Sequence, residues 1–202
     1  MKILLFGGTF DPPHKGHMNN LRAALELVRP DRAIVMPAGT PPHKQASGTA
    51  AGVRLKMCGC FTALSPVVEV SDWEIKNPDP DGRNYTFRTL EMLAQENPGA
   101  ELYLGVGTDM LTSFTDWRRW QDILKMATLV VQRRTDDDEA LLRKCVTALE
   151  YCHGRVLVCD APAVPVSSTE IRSGRLTPVE LAELLPEPVL ATIRENKLYD
   201  IR

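Results

Sequence analysis

Two histidines in a glycine- and proline-rich turn are the residues of this chain best placed to do chemistry. The segment 7–17 reads GGTFDPPHKGH, and His14 and His17 stand three positions apart in it. Gly7 and Gly8 allow a ligand to approach the backbone closely, and the prolines restrict the conformations of the loop. Imidazole donors beside unpaired backbone N–H groups suit the binding and transfer of phosphate groups.

The elements on either side of this turn would place the histidines at the start of a helix. Residues 3–6 form a short apolar run that is typical of a buried strand, and apolar residues recur at helical spacing over 18–28. A helix that begins near Lys15 presents unpaired N–H groups and roughly half a positive charge at its first turn. We therefore expect one or both histidines to face a phosphate, with a helix cap or a solvated surface position as the alternative.

A second candidate anion site lies near the C-terminus, in the segment 166–172. Ser167, Ser168 and Thr169 are residue types that cap helix N-termini, so a short helix is expected to begin there. Arg172 would add a fixed positive charge whose planar fork matches phosphate oxygens. On these residues alone, a capping motif with a surface arginine is an equal alternative.

Apolar runs and helical patterns alternate along most of the chain. Strands are expected at 2–6, 32–36, 67–70, 101–106, 128–132 and 155–159, and helices at about 17–29, 52–64, 86–96, 117–126, 137–150 and 187–195. The strands are almost continuously apolar, which is typical of a parallel sheet covered on both faces. With right-handed crossovers, this order predicts a doubly wound, Rossmann-like α/β fold with helices on both faces of a parallel sheet.

Two irregular segments interrupt this alternation, at 37–52 and 77–84. The first carries His43 and Lys44, and the second contains two prolines and an Asp-Gly turn signal. Both should reach the carboxyl edge of the sheet, where ligands bind in open α/β folds. We expect these loops to form walls of a substrate site, with ordinary solvent-exposed loops as the alternative.

Composition and charge narrow the classes of partner. The chain has 202 residues, a formal net charge of −2 and no apolar run long enough to span a membrane. A slightly negative net charge provides no basic surface that would bind nucleic acid. A single domain of this length can bury a sizeable hydrophobic core. The absence of a signal-peptide pattern predicts a cytoplasmic protein. The sequence leaves the oligomeric state open, with a homodimer among the alternatives.

The cysteines indicate a reducing compartment rather than a disulfide framework, since five is an odd number. Cys58 and Cys60 lie inside a predicted helix, while three more are spread over a later region that also holds His153. Their spacings match no common zinc pattern. We expect small, partly buried hydrophobes and no metal site built from protein side chains, with a zinc site as the alternative.

The histidine motif resembles the signature of the nucleotidyltransferase superfamily that carries a (T/H)xGH motif, here His14-Lys15-Gly16-His17. The longer string GGTFDPPHKGH looks like that of the bacterial nicotinate mononucleotide adenylyltransferases. Four further segments fit that family in order, so the resemblance covers nearly the whole chain. They are Pro41-Pro42-His43-Lys44, Asn84-Tyr85-Thr86 with Thr89-Leu90, Gly107-Thr108-Asp109 with Trp117 and Trp120, and Val166-Ser167-Ser168-Thr169-Glu170-Ile171-Arg172.

The resemblance implies one nucleotidyltransferase domain over 1–202, in which about 160–202 forms a small helical subdomain. It implies transfer of the adenylyl group of ATP to nicotinate mononucleotide, a step of NAD biosynthesis, with Mg²⁺ on the ATP phosphates. The expected partners are ATP and a pyridine mononucleotide, and neither nucleic acid nor a membrane is expected.

The family's functional residues carry over position by position. Catalysis is expected to depend on His14, His17, Lys44 and Arg172. ATP is expected to contact Gly7, Gly8, Thr9, Phe10, His14, His17, Gly105, Asp109, Ser168, Thr169 and Arg172. The mononucleotide is expected to contact Thr9, His43, Lys44, Tyr85, Thr86, Asp109, Trp117 and Arg133, with Trp117 stacked on the pyridine ring.

Several alternatives accompany this interpretation. Asn84 and Arg88 stand where the family often carries Ser and Asp, and on sequence alone Trp117 and Trp120 also fit a packing role. An adenylyltransferase for nicotinamide mononucleotide or for phosphopantetheine would share the histidine motif. A regulatory protein that binds ATP without turnover is a further alternative, which pyrophosphate release would exclude.

Overall fold

A parallel sheet is the centre of the fold. The computed structural model describes residues 1–40, 47–132, 139–162 and 164–199. Within these residues, six strands pair in parallel in the order β3-β2-β1-β4-β5-β6. They are β1 Lys2–Gly8, β2 Arg32–Pro37, β3 Val68–Val70, β4 Glu101–Gly107, β5 Ala127–Gln132 and β6 Val156–Cys159.

The strands agree with the sequence pattern because most of their residues are apolar and buried. β5 is buried at every position, and β1 is buried from Ile3 to Phe6. Each predicted strand is present, with its bounds shifted by one or two residues. β1 and β4 extend to Gly8 and Gly107, beyond their predicted ends, because the backbone ladder continues where the apolar run stops.

Helices cover both faces of the sheet. They are α1 Lys15–Val28, α2 Ala51–Cys58, α3 Trp73–Lys76, α4 Thr86–Glu96, α5 Thr108–Thr112, α6 Trp120–Met126, α7 Glu139–Tyr151, α8 Ser168–Arg172, α9 Pro178–Leu184 and α10 Glu187–Glu195. In the part of the chain that the structure describes, no helix combines the length and apolar character that a membrane span needs.

The helices differ from the predicted pattern in three ways: one predicted helix is divided, one begins later than predicted, and three short helices were not predicted. α4 and α10 have the predicted bounds, whereas the helix expected at 52–64 divides into α2 and a 3-10 turn, Gly59–Leu64. The helix expected from 117 begins at Trp120, because Arg119 at its N-cap has φ 58° and interrupts the turn. The sequence does not predict α3, α5 or α9, which are too short to show a helical period.

Apolar side chains on the two faces of the sheet form two core clusters. One cluster, on the face that α1, α2, α9 and α10 cover, contains Leu4 and Phe61, and we call this side the α1 face. The other, on the face that α4, α5, α6 and α7 cover, contains Leu5 and Phe114, and we call it the α4 face. Leu4 and Leu5 belong to different clusters because successive side chains of a strand point to opposite faces. The doubly wound, Rossmann-like fold predicted from the sequence is confirmed.

The strand order reverses between β1 and β4, and this reversal determines where a ligand can bind. β1, β2 and β3 follow one another outward, and the connection through α4 then returns the chain to the other side of β1. In such sheets, ligands bind outside the carboxyl ends of the strands at this switch point. Gly7 and Gly8 of β1 and Gly105 and Gly107 of β4 lie there.

The cysteines are free thiols, and the two in the predicted helix are buried. Burial raises the pKa of Cys58 far above its usual range and the pKa of Cys60 to about 12. Such thiols stay protonated near neutral pH and pack as small hydrophobes. Among the described residues, no group of three or more His, Cys, Asp or Glu side chains is placed to hold a metal ion.

Candidate active site

A cleft of about 750 Å³ opens at the switch point, outside the carboxyl ends of β1 and β4. Its walls are the loop after β1, the N-termini of α1 and α8, the start of α4 and the segment that holds Trp117. These walls belong to both faces of the sheet. The cleft therefore has an α1 half, which contains the histidines, and an α4 half, which contains the tryptophan.

The two histidines cap the N-terminus of α1 reciprocally. The backbone N–H of His17 donates to Nδ1 of His14, and the backbone N–H of His14 donates to Nδ1 of His17, each over 3.3 Å. The rings stack with their centroids 3.7 Å apart, and both line the cleft. The arrangement is that of a capping box, with imidazoles in place of the usual hydroxyl and carboxyl groups.

These hydrogen bonds select one tautomer of each ring. A ring nitrogen that accepts a backbone N–H carries no proton itself, so each neutral imidazole holds its proton on Nε2. Nδ1 is committed to the helix end, and Nε2–H is the ring's donor. The stack thus brings two imidazole donors to the positive end of α1, where a phosphate group is stabilised.

The segment before α8 packs against the histidine turn. Ser167 caps α8 with its side chain. A Cβ on Gly16 would stand 2.8 Å from Cγ1 of Val166, so glycine permits this close approach. The hydroxyl of Ser168 donates to the carbonyl of Pro12 over 3.0 Å. The two segments that the sequence indicates as anion sites are therefore in direct contact.

Arg172 reaches the same turn from α8. Its Nη1 donates to the backbone carbonyl of Asp11 over 2.6 Å, and its Nη2 donates to Oγ1 of Thr169 over 3.3 Å. The carboxylate of Asp11 accepts hydroxyl donors from Tyr199 and Ser47, each 2.6 Å away. Asp11 therefore joins α8, the loop after β2 and the C-terminal segment to the histidine turn.

Asp11 is ionised within this network. Burial alone would raise its pKa, but hydrogen bonds from Ser47, Thr49 and Tyr199 and the charge of Arg172 together outweigh burial and lower the pKa. Burial and the bond to Asp11 raise the pKa of Tyr199 well above its usual value, so the phenol keeps its proton. A protonated donor thus faces a charged acceptor, which strengthens the hydrogen bond between them.

A buried arginine supports the turn from α2. Arg54 is 1% exposed, and its guanidinium donates to the carbonyl oxygens of Thr9 at 2.7 Å, Gly39 at 3.1 Å and Thr49 at 3.3 Å. Burial lowers its pKa, and the nearby charge of Asp11 offsets part of that effect. Arg54 therefore holds the loop after β1 and the loop after β2 in a fixed relation.

The α4 half of the cleft is aromatic. Trp117 and Tyr85 line it, and the Trp117 ring packs on Phe114 at 5.3 Å between centroids. Nε1 of Trp117 is buried and has no hydrogen-bond partner among the described residues. The Arg118 guanidinium covers the Tyr85 ring at 4.7 Å, and the Tyr85 hydroxyl donates to Asp81 over 2.7 Å. This half therefore combines aromatic surface, an unsatisfied donor and a cation.

Asn84 and Arg88, the two residues that differ from the family pattern, both make contacts that support the aromatic half of the cleft. Asn84 is buried, its Oδ1 accepts the backbone N–H of Thr40 at 2.9 Å, and its Nδ2 donates to the Glu74 carbonyl at 2.7 Å. Arg88 is outside the residues that line the cleft and donates through Nε to Asp79 at 3.2 Å. Asn84 thus holds three segments together, and Arg88 ties α4 to the loop before it.

A buried carboxyl group also lines this half. Glu74 is 8% exposed, and burial raises its pKa to about 7, although a hydrogen bond of 2.6 Å from the Thr89 hydroxyl lowers it in part. A carboxyl group with this pKa is present in both charged and neutral forms near neutral pH. It belongs to α3, a helix that the sequence does not predict.

The structure brings the described members of the predicted site to one cleft. Those that line it are Gly7, Gly8, Thr9, Phe10, His14, His17, Tyr85, Thr86, Gly105, Asp109, Trp117, Ser168, Thr169 and Arg172. Three predicted residues, His43, Lys44 and Arg133, lie outside the described residues. The structure thus assembles the set, and the role of each member stays a prediction.

Sequence reasoning missed several residues of the cleft and its support. Asp11 stands inside the quoted motif, yet its partners come from distant segments and leave no local signal. Until their burial is known, Arg54 looks like an ordinary charged residue of a helix and Glu74 like one of a connecting segment. Gln132 offers one usable signal, since a polar residue that ends an apolar strand falls at the carboxyl edge where ligands bind.

The chain matches the cytidylyltransferase-like family over residues 5–174. This range begins in β1 and ends just after α8. It therefore contains both the histidine turn and Arg172, and it covers most of the chain.

Similarity to individual proteins extends over the full length. A probable nicotinate-nucleotide adenylyltransferase of Neisseria meningitidis serogroup C is 35% identical, and the match covers 98% of each chain. One from Symbiobacterium thermophilum is 33% identical, over 98% of this chain and 95% of its own. The Plasmodium falciparum nicotinic acid mononucleotide adenylyltransferase complexed with NaAD has a TM-score of 0.80 at 17% identity, covering 100% of this chain and 98% of that chain.

The comparisons with solved structures and with sequence relatives support different conclusions, the first about the fold and the second about the family. The solved structure supports the fold, because its sequence identity is low. The two bacterial relatives support the family over nearly every residue. The chain therefore belongs to the cytidylyltransferase-like family and, within it, to the nicotinate-nucleotide adenylyltransferases.

Proposed function

We propose that this chain transfers the adenylyl group of ATP to nicotinate mononucleotide, giving nicotinate adenine dinucleotide and pyrophosphate, in NAD biosynthesis. The observation that carries the proposal is the pair of reciprocally capped histidines at the switch point, in one cleft with Trp117. Full-length similarity to nicotinate-nucleotide adenylyltransferases supports the same reaction.

The reaction is an in-line displacement at the α-phosphorus of ATP. A phosphate oxygen of the mononucleotide forms the new P–O bond while the bond to the β-phosphate oxygen breaks, and pyrophosphate leaves. The attacking phosphate is already ionised, so no general base is needed. The protein has to align two polyanions and stabilise the charge that develops on the phosphates.

The α1 half of the cleft is suited to that task. Nε2–H of His14 and of His17 would donate to phosphate oxygens, beside the positive end of α1. These donors are preorganised because each ring is already fixed to the helix end through Nδ1. Arg172 would supply positive charge from α8, and Lys44 is proposed to do so from the loop after β2.

The α4 half is suited to the pyridine ring. We assign the ring to Trp117, with Tyr85 and Thr86 beside it, because these residues line the aromatic end of the cleft. The cation of Arg118, which also lies 4.0 Å from the carboxylate of Asp81, favours a ligand that carries negative charge there. A nicotinate carboxylate meets this condition, whereas a neutral amide does not.

Mg²⁺ would be bound by the phosphates of ATP and by water, the ligands that this ion prefers. The carboxylate of Asp11 already accepts hydroxyl groups on both oxygens, which fits an ion that arrives with the nucleotide rather than one held in a protein cage. When bound, the ion would neutralise charge on the leaving phosphates. The residues of the chain itself would align the two substrates.

We also propose that the whole chain acts as one unit, with the helices after about 160 as a small subdomain. Ile171 of α8, Leu181 of α9 and Val189 of α10 pack in the same core cluster as Leu4 of β1. Arg172 is therefore carried by a segment whose position is fixed against the sheet. A cytoplasmic location stays a prediction from the sequence.

Pyrophosphate release from Mg-ATP tests the proposal, with nicotinate mononucleotide, nicotinamide mononucleotide and phosphopantetheine supplied in turn to the purified protein. We expect release with the nicotinate substrate and a much lower kcat/KM with the other two. Release only with another acceptor would overturn the assignment of the acceptor. If the protein binds ATP but releases no pyrophosphate with any acceptor, the proposed enzymatic activity is overturned and a regulatory ATP-binding protein is favoured.

A further inference from the structure

Gln132 ends β5 on the side of the sheet that faces the histidines. Val130 packs in the cluster of the α1 face, and Val131 packs in that of the α4 face. Because side chains alternate along a strand, Gln132 lies on the same face as Val130. Cys159, its register partner on β6, also belongs to the α1 cluster. Gln132 and Cys159 both line the cleft, so Gln132 belongs to its α1 half.

The orientation of the Gln132 amide is determined by its own hydrogen bond. Nε2 donates to the carbonyl of Ala161 over 2.7 Å. A flipped amide would place Oε1 against that carbonyl oxygen, so the bond assigns which atom is nitrogen. Oε1 is therefore the end that is left for another partner.

Oε1 of Gln132 is a buried acceptor with no donor among the residues that the structure describes. The side chain as a whole is only 4% exposed. An acceptor in this condition destabilises the folded protein, so a buried acceptor of this kind requires an explanation. A ligand that brings an N–H donor into the cleft would satisfy it.

We propose that Oε1 of Gln132 accepts a hydrogen bond from the exocyclic amino group of the ATP adenine, and so selects adenine over a 6-oxopurine. The inference rests on the proposed function, which places the ATP phosphates on the histidines of the same half. The pyridine ring of the acceptor carries a carboxylate and no N–H, and its assigned place is the α4 half. An amino group on the nucleotide base is therefore the donor that this acceptor fits.

The selectivity follows from the chemistry of the two bases. With inosine triphosphate, a carbonyl oxygen would replace the amino group and would face Oε1, so two acceptors would meet in a buried place. A site that is built to hydrogen-bond a substrate group discriminates strongly against an analogue that lacks it, because a buried polar group is left unpaired. The amide cannot adapt by flipping, since Nε2 is held by Ala161.

The test compares ATP with inosine triphosphate in the wild type and in Gln132→Met, which keeps the length of the side chain and removes its polar atoms. We expect Gln132→Met to lower kcat/KM for ATP by about 10- to 100-fold and to leave that for inosine triphosphate nearly unchanged. The matched control is Gln121→Met on the exposed surface of α6, which should change neither value. An equal loss for both nucleotides in Gln132→Met would overturn the inference.

A binding measurement separates this inference from the proposed function. Calorimetric titration of each Mg-nucleotide alone gives the ratio of the two affinities without turnover. We expect the wild type to favour ATP by about 10-fold or more and Gln132→Met to lose that preference. If the wild type releases no pyrophosphate but shows this loss, the proposed function fails and the role of Gln132 stands. If the two affinities are equal in the wild type, the role of Gln132 is overturned.

Discussion

The phenol of Tyr199 donates a hydrogen bond of 2.6 Å to Oδ1 of Asp11, although the two residues are 188 positions apart. The hydroxyl of Thr49 donates to the same phenol oxygen over 3.2 Å. Since the Asp11 carbonyl also accepts Nη1 of Arg172, one residue connects the end of the chain to a proposed catalytic side chain. We infer that the C-terminal segment helps to hold Arg172 at the cleft.

Tyr199→Phe tests this connection, because it removes the hydroxyl and keeps the ring. A hydrogen bond to a charged group contributes about 1.5–3 kcal/mol, so we expect the free energy of unfolding to fall by about 2 kcal/mol. We also expect a higher KM for ATP, since Asp11 would no longer be held from this side. Denaturant titration and steady-state kinetics measure the two effects.

The matched control is Tyr151→Phe, since Tyr151 is 89% exposed and is not among the residues that line the cleft. It should change neither stability nor the KM for ATP. Should Tyr199→Phe behave like this control, the C-terminal segment would have no part in holding the site.

The buried carboxyl group of Glu74 predicts a pH dependence of stability. Its pKa is raised from 4.5 to about 7, mainly by burial. As the pH rises above 4.5, the unfolded chain loses this proton first, whereas the folded protein keeps it until about 7. The stability that the group contributes is therefore complete below its unfolded pKa and is lost as the pH rises through the folded pKa.

Glu74→Gln removes the titration and keeps an acceptor for the Thr89 hydroxyl. We expect the stability of the variant relative to the wild type to increase between pH 5 and pH 8, by at most roughly 3 kcal/mol. Denaturant titrations at the two pH values give this difference, with the exposed Glu96→Gln as control. Parallel pH profiles for Glu74→Gln and the wild type would contradict the prediction.

The parts of this protein that could be predicted from the sequence are those that are determined by residues close together in the chain. A buried strand needs only a run of apolar residues, and the glycine–histidine turn is contiguous in the chain, so the sheet and the centre of the cleft could both be predicted. Helices of a few residues carry too little periodicity to be recognised, and α3, with Glu74, was missed for that reason.

The supporting residues could not be predicted because their environment depends on contacts between distant segments. Arg54 satisfies carbonyl groups of Thr9 and Gly39, which stand 45 and 15 positions away from it. Asp11 and Tyr199 lie at opposite ends of the chain. No sequence window contains both partners of these bonds, and a charged or phenolic side chain without its partners is predicted to be at the surface.

The reciprocal histidine cap predicts that stability and turnover can be separated at His14. Asparagine is a strong N-cap residue, so His14→Asn should keep the acceptor for the backbone N–H of His17 and leave stability nearly unchanged. It removes the imidazole, so we expect kcat to fall by about 100- to 1000-fold. Pyrophosphate release and thermal denaturation measure the two effects in the same preparation.

His17→Ala and His153→Ala complete this series. His17→Ala removes the second imidazole, and we expect a loss of kcat of at least the same size, about 100- to 1000-fold, in a protein that still folds and binds the mononucleotide. His153 is exposed and is not among the residues that line the cleft, so its replacement should leave kcat unchanged. Near-normal turnover in His17→Ala would remove His17 from the mechanism.

Trp117 predicts a selective effect on the pyridine substrate. Stacking of an aromatic side chain on a base contributes about 1–3 kcal/mol, so Trp117→Ala should raise the KM for nicotinate mononucleotide by about 10- to 100-fold. The KM for ATP should change far less, since the phosphates of ATP are assigned to the other half of the cleft. Trp117→Phe keeps an aromatic face and loses Nε1–H, and we expect a smaller rise.

Trp120 provides the matched control for Trp117. Both rings pack on Phe114: the centroid of the Trp120 ring lies 6.5 Å from that of Phe114, and the centroid of the Trp117 ring lies 5.3 Å from it. Replacement of either tryptophan by alanine should therefore lower stability. Only Trp117 of this pair lines the cleft, and Trp120→Ala should therefore leave the ratio of the two KM values unchanged. If Trp117→Ala raises both KM values equally, the indole packs the core beside the cleft and does not hold the ring.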